Sequence, residues 1–336
     1  REPMNSISNK SDTMSAAALD AMIHVLDLVP DDRVLVVTDP QTSRCGEAFA
    51  AGAETHGCPV TRYILPAEGR PLAAVPDDMA ALIDEVDVII NAIVGDVREV
   101  PFRIEWIHAI ENAARIRMGH SPGIDEDMMT SGPLNVDYEV MLETSRKLRR
   151  GLAGASQVHL TTPAGTDLWL DLEGRHFVDD LKATPAAGAN LPCGEVYCAP
   201  VETGAEGVLV VDGCFGSHGT VPSLVSITVQ GGRCVDVSGE HMETLQIIND
   251  LMNTDAGSRT IAELGIGLNP GARLTDRMLE AEKAHHTAHV AFGDNEGIAG
   301  GQGRSSMHID YLVLKPTIEV YRGGGSHFVL ENGEVI

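Results

Sequence analysis

A histidine and an aspartate separated by one residue, His308 and Asp310, lie in an apolar run that ends at Tyr311. Alternate residues of a β-strand point to the same face, so a strand here would present an imidazole and a carboxylate side by side. Such a pair can hold a divalent metal ion, although the same spacing also occurs on ordinary solvated strand faces. A metal site therefore requires further ligands elsewhere in the chain.

Three upstream segments each place a metal-ligating side chain beside strand-like or turn-like sequence, and they contribute Glu195, Glu263 and His289. With His308 and Asp310 they form a set of three carboxylates and two imidazoles. Because three carboxylates carry three negative charges, two divalent ions and one bridging hydroxide would make the cluster neutral. The set predicts a two-metal hydrolytic site, and we expect Asp310 to be the bridging carboxylate.

Around these residues the chain resembles the aminopeptidase T family of dinuclear metallo-aminopeptidases, over most of its length. The resemblance rests on blocks that follow one another in the same order, at residues 118–123, 161–167, 190–195, 199–202, 263–270, 289–295, 300–301, 308–310 and 314–317. It implies an α/β N-terminal domain, a mostly β C-terminal domain that carries two metal ions, and a homodimer.

The same superfamily includes 2,5-dihydroxypyridine ring-cleaving dioxygenases, which resemble this chain but bind a single ferrous ion. In that branch the position matching Glu195 is apolar, the one matching Glu263 is a histidine, and the one matching His289 is an asparagine. The chain has none of these replacements, so it resembles the hydrolytic branch. The alternative is one Fe(II) held by His289, His308 and Asp310, acting on a dihydroxypyridine-like substrate. A non-catalytic binding protein on the same scaffold is a third interpretation.

The favoured function is hydrolysis of an amide or N-terminal peptide bond by a metal-bridged water. Two ions would lower the pKa of that water and polarise the scissile carbonyl, and a free substrate amine can bind one of them. Zinc, cobalt and manganese all suit this ligand set, and we expect a short peptide or other small molecule as substrate. For proton transfer the sequence offers Glu296 and Tyr311. Glu296 stands where some aminopeptidases of the family place a tyrosine near the metals.

The elements that must position these residues change character along the chain. Up to about residue 120, helical and strand-like segments alternate, which predicts a doubly wound parallel sheet covered on both faces. No glycine-rich fingerprint follows the first predicted strand, at residues 33–37. A nucleotide-binding site is therefore disfavoured.

A stretch of small residues at 151–156 marks the expected domain boundary. We predict an N-terminal α/β domain at residues 4–154 and a β-rich, catalytic metal-binding domain at residues 155–336. Short strands separated by turns that contain glycine or proline predict the β character of the second domain. Two helices are expected to interrupt it, at residues 240–253 and 272–284.

Composition excludes several classes of partner. The 336-residue chain has a formal net charge of −25, which argues against nucleic acid and anionic membranes, since both reward clustered lysine and arginine. Its six cysteines show no paired spacing, so we expect free thiols in a reducing compartment. No apolar run is long enough to span a membrane and no signal peptide is visible, which indicates a cytoplasmic protein. We expect the natural start at Met4, after residues 1–3.

Overall fold

The computed structural model describes residues 4–185 and 187–336. Its helices are α1 (Met4–Leu26), α2 (Ser43–Thr55), α3 (Asp77–Ala81), α4 (Val100–Asn112), α5 (Glu126–Thr130), α6 (Tyr138–Leu152), α7 (Met242–Met252) and α8 (Met278–Ala281). Its strands are β1 (Val34–Thr38), β2 (Val60–Ile64), β3 (Val88–Ile93), β4 (Arg117–Pro122), β5 (Gln157–Thr161), β6 (Asp167–Asp171), β7 (Val178–Asp179), β8 (Ala189–Asn190), β9 (Glu195–Cys198), β10 (Ala205–Val211), β11 (Val225–Gln230), β12 (Arg233–Gly239), β13 (Ile261–Gly267), β14 (Thr287–Gly293), β15 (His308–Leu314), β16 (Thr317–Arg322), β17 (Gly325–Glu331) and β18 (Glu334–Val335). The expected start at Met4 concerns residues 1–3, which lie outside the described residues.

The first of two compact units runs up to Glu139 and also includes Asp180–Cys193. Its five-stranded sheet has the order β2-β1-β3-β4-β8, and every pair of neighbours is parallel. On β1, Val36 faces α2, whereas Leu35 and Val37 pack in a cluster with Trp106 of α4. Helices therefore cover both faces, which confirms the predicted doubly wound sheet.

The second unit contains Val140–Asp179 and Gly194–Ile336. It carries an eight-stranded antiparallel sheet of order β12-β11-β10-β6-β5-β16-β17-β18 and a five-stranded antiparallel sheet of order β15-β14-β13-β9-β7. Burial alternates along β5, as in a strand with one solvated face, but β13 and β14 are buried at every position. The predicted β-rich C-terminal fold is confirmed, and its most buried strands belong to the smaller sheet.

The two units do not divide at the predicted 154/155 boundary. Helix α6 packs on the second unit, where Ser145 Oγ donates to the Asp179 carboxylate at 2.8 Å and Lys147 Nζ donates to the Val335 carbonyl at 3.2 Å. The later segment Asp180–Cys193 returns to the first unit, because β8 adds to β4 as a fifth parallel strand. A two-residue strand supplies no periodicity from which the sequence could have indicated this return.

The helix predicted at residues 240–253 is present as α7, whereas the one predicted at 272–284 is reduced to the single turn of α8. The segment folds back on itself instead: Arg273 N and Nε both donate to the buried Glu280 carboxylate, at 3.0 and 2.8 Å. All six cysteines are buried, and none is assigned to a disulfide bond. Among the described residues, no helix combines the length and apolar character needed to cross a membrane.

Candidate metal centre

Four strands of the five-stranded antiparallel sheet bring the five predicted ligands together. Glu195 begins β9, Glu263 lies in β13, His289 lies in β14, and both His308 and Asp310 lie in β15. The register of the sheet places all five on one face, as strand alternation predicts for the last two. All of them belong to the second unit.

Most cross-strand neighbours of these ligands on this face are small residues, and Leu312, opposite His289 on β15, is the exception. The other pairs are Gly267 opposite Glu195, Gly265 opposite His289, Ala291 opposite Glu263 and Asp310, and Gly293 opposite His308. The ring of His289 packs directly against Gly265, where a Cβ would lie 2.0 Å from the His289 Nε2 atom. The glycines thus provide the space in which the long ligand side chains converge.

The ligating atoms fall into two groups that share Glu263, and within each group they lie within 4.8 Å of one another. In the first group, His289 Nε2 is 3.3 Å from Glu195 Oε2 and 3.5 Å from Glu263 Oε1. In the second, His308 Nε2 is 3.2 Å from Glu263 Oε2 and 3.3 Å from Asp310 Oδ1. Each oxygen of Glu263 faces a different imidazole, so the geometry favours Glu263, and not Asp310 as expected, for the bridging position.

Four of the five ligand side chains are buried, His308 is partly exposed, and the cluster strongly favours positive charge. Burial opposes the ionisation of Glu263, but hydrogen bonds with His289 and His308 outweigh it and lower the pKa of this carboxyl. Burial likewise lowers the pKa of His289, yet Glu263, Asp310 and Glu195 together raise it to about 9. Buried carboxylates that stabilise a cation to this extent meet the electrostatic requirement for divalent metal ions.

The loop that follows β14 orients His308. The Nδ1 atom of His308 lies 2.6 Å from the carbonyl oxygen of Asp294, and its Nε2 is therefore the atom directed at the cluster. Metal-ligating histidines commonly donate the second ring N–H to such a partner. Asn295, which follows Asp294, is buried and donates to the Ala262 carbonyl at 3.1 Å. This hydrogen bond fixes the loop on β13. The donor set and its support fit a pair of divalent ions.

Neither residue predicted for proton transfer reaches the cluster, and the geometry argues against that role for both. Glu296 is exposed and pairs with Arg304 at 2.8 Å. Tyr311 points to the opposite face of β15, where its ring packs against Phe215 and Phe292 at centroid distances of 6.1 and 5.9 Å. Burial raises the pKa of Tyr311, and its hydroxyl has no hydrogen-bond partner among the described residues. The alternation that joins two ligands on β15 excludes the residue that follows them.

Two charged residues that the sequence did not single out lie beside the first group. The Lys283 ammonium is fully buried; it contacts a carboxylate oxygen of Glu195 and lies 2.6 Å from Glu282 Oε1. Burial raises the pKa of Glu282, and the neighbouring Lys283 opposes that shift. Both residues lie in an irregular segment before β14, so no periodicity predicts that Lys283 is buried or that Glu282 lies beside it. The only indication in the sequence of a role at the site is that Glu282 and Lys283 are adjacent and lie shortly before β14, the strand that carries His289.

The close approach of His289 to Gly265 gives a first testable consequence. We expect Gly265→Ala to push the imidazole out of the first group and to weaken metal binding by about 10- to 100-fold, the range seen when ligand-orienting interactions are lost. Competition against a chelator measures this change. Gly297→Ala is the matched control, because a Cβ there meets nothing within 4 Å. Equal metal affinities for the two variants would contradict the proposed packing role of Gly265.

The sequence is similar to known metallopeptidases over the region that contains the cluster. The sequence model of the thermophilic metalloprotease (M29) family matches residues 137–335, more than half of the chain. Aminopeptidase T of Thermus aquaticus is 28% identical over 183 residues, which cover 48% of this chain and 44% of that relative. Aminopeptidase AmpS of Bacillus subtilis (strain 168) is 29% identical over 106 residues, 30% of this chain and 25% of the relative. This chain thus spans less than half the length of either relative.

Two solved structures share the fold over almost the whole chain. The 2,5-dihydroxypyridine dioxygenase of Pseudomonas putida KT2440 superposes with a TM-score of 0.69 at 19% identity, covering 96% of this chain and 97% of that one. Wild-type AmpT of Thermus thermophilus superposes with a TM-score of 0.68 at 17% identity, covering 97% and 99%. The two scores are nearly equal, so the fold alone does not distinguish the chemistry of these two proteins.

Proposed function

The chain belongs to the thermophilic metalloprotease (M29) family, and from this premise we propose that it is a metal-dependent aminopeptidase that acts on short peptides or aminoacyl amides. The observation that carries the proposal is the sharing of Glu263 between two ligand groups, each of which has one imidazole. Two bound divalent ions, of zinc, cobalt or manganese, would activate a bridging water and polarise the scissile carbonyl.

The proposed roles of the chain's own residues follow from their contacts. Glu195 and His289 would hold one ion, His308 and Asp310 would hold the other, and Glu263 would contribute to both sites. Glu282 replaces Glu296 and Tyr311 as the proton-transfer candidate. Its support is a half-buried position within electrostatic reach of Asp310 and His289, and a pKa that desolvation raises. A carboxyl whose pKa is raised can accept a proton and return it to the leaving amine.

The alternative, a ring-cleaving dioxygenase with a single ferrous ion, has support in the fold but less in the residues. One ion held by His289, His308 and Asp310 would leave Glu195 and Glu263 with less compensating charge. Burying two more carboxylates without a second cation costs several kcal/mol unless they take up protons. The hydrolytic function is therefore the better supported one. The homodimer that the family resemblance implies stays a prediction.

Selectivity for a free amino terminus tests the aminopeptidase proposal. We expect leucine p-nitroanilide to be cleaved with a kcat/KM at least about 100-fold above that of its N-acetyl derivative, because acetylation removes the amine that would bind the site. Release of p-nitroaniline measures both rates. Equal cleavage of the two substrates would contradict an aminopeptidase, and no cleavage of either by the metal-loaded protein would contradict hydrolysis of aminoacyl amides.

A further inference from the structure

Lys283 is a fully buried lysine beside the candidate metal centre. Its ammonium contacts Glu195 Oε1 and, at 2.6 Å, Glu282 Oε1. A buried ammonium is costly to desolvate unless it is paired and hydrogen-bonded. Two carboxylate partners meet that requirement, so the side chain has a definite position next to one ligand group.

The backbone around Lys283 is held by the residues that follow β13 and by the first residue of β14. Asn269 N donates to the Lys283 carbonyl at 2.8 Å, and Thr287 Oγ1 donates to the Ala284 carbonyl at 2.7 Å. The segment passes so close to Gly267 that a Cβ there would lie 2.1 Å from the Ala284 oxygen and 2.8 Å from the Lys283 carbonyl carbon. Gly267 is also the cross-strand partner of Glu195. The sheet register therefore places Lys283 over the strand position opposite Glu195.

The two oxygens of Glu195 have different neighbours. Oε1 contacts the Lys283 ammonium, whereas Oε2 lies 3.3 Å from His289 Nε2, on the side where the first ligand group converges. A carboxylate held by one oxygen presents the other in a fixed direction. Partners of this kind orient metal ligands and raise metal affinity.

We infer that Lys283 is a positioning residue for one of the two metal sites: it holds Glu195 so that Oε2 faces the ion shared with Glu263 and His289. This inference rests on the proposed dinuclear function. Glu282 binds the same ammonium and balances its charge, so the pair adds no net charge to the centre. The ion held by Glu263, His308 and Asp310 does not use Glu195, and its affinity does not depend on Lys283.

The test is a titration of the metal-free protein with Co²⁺, followed by calorimetry and by visible absorption. The unaltered chain should show two binding events per chain. Lys283→Met should weaken one event by about 10- to 100-fold and leave the other unchanged, as expected for loss of a ligand-orienting partner. The double variant Glu282→Gln/Lys283→Met removes both members of the pair and keeps the net charge. It should show the same selective loss without leaving the Glu282 carboxylate uncompensated.

Arg273→Met is the matched control, because it removes another cation from a buried carboxylate, Glu280, in the same segment. It should lower the melting temperature and leave both Co²⁺ affinities unchanged. Wild-type affinity for both ions in the double variant, equal weakening of both ions, or the same selective loss in Arg273→Met would overturn the inference. Unfolding of both Lys283 variants would do so too, since Lys283 would then be a folding residue. Fewer than two binding events in the unaltered chain would contradict the proposed function instead.

Discussion

Glu263→Gln should lose about a thousandfold in kcat/KM and should retain at most one metal ion per chain. The amide lacks the negative charge that both candidate ions require. Each 1.4 kcal/mol of lost metal stabilisation lowers the rate about tenfold, so a loss of several kcal/mol gives about a thousandfold. Both His289 Nε2 and His308 Nε2 lie within 3.5 Å of this carboxylate, so a single substitution affects both groups. Metal analysis and initial rates on the same preparation measure the two effects.

Glu296→Gln is the matched control for this variant. The same chemical change is made at an exposed glutamate that pairs only at the surface, with Arg304 at 2.8 Å. We expect its rate and metal content to equal those of the unaltered chain, since exposed ion pairs contribute little. Full metal content and rate in Glu263→Gln would show that this residue bridges no metal ions. A large loss of activity in Glu296→Gln would restore it as a catalytic candidate.

The second large effect concerns removal and return of metal. Dialysis against a chelator should abolish hydrolysis, and zinc, cobalt or manganese should restore it under anaerobic conditions, because activation of water by these ions requires no oxidant. An oxygen electrode should record no uptake with an aminoacyl amide or with 2,5-dihydroxypyridine. Magnesium is the control ion: it prefers octahedral oxygen ligands and should restore little activity at a site with two imidazoles.

Oxygen consumption coupled to opening of a dihydroxypyridine ring, and restored by ferrous iron alone, would falsify the hydrolytic function. Such a result would agree with the fold, which superposes on the dioxygenase and on AmpT about equally well. It would mean that residues other than the five ligands determine which of the two reactions the protein catalyses. Reconstitution under anaerobic conditions therefore distinguishes the aminopeptidase from the dioxygenase, which structural similarity does not.

Strand periodicity predicted the part of the centre that is local in sequence. The spacing of His308 and Asp310 was sufficient to place both on one face of β15, and the same alternation should have excluded Tyr311. The remaining ligands come from β9, β13 and β14, and their convergence depends on cross-strand register. Register is set by pairing over long sequence distances, so the sequence could not show that Glu263, rather than Asp310, stands between the imidazoles.

Irregular segments account for most of what the sequence did not predict. Lys283 lies outside any periodic element and is buried through tertiary contacts with Glu195 and Glu282. The two compact units divide at other residues than 154/155 for a related reason, since the two-residue strand β8 returns to the first sheet without a hydrophobic pattern of its own. Elements such as β1 and β3 are continuous, largely apolar runs and α7 has apolar periodicity, and these patterns made them predictable.

The metal content of the purified chain tests the central claim most directly. Elemental analysis by mass spectrometry, with protein concentration from amino-acid analysis, should find two divalent ions of zinc, cobalt or manganese per chain. That number follows from two ligand groups that share Glu263. A single iron per chain, or one ion of any kind that excess metal does not raise to two, would contradict the dinuclear centre on which the proposed function depends.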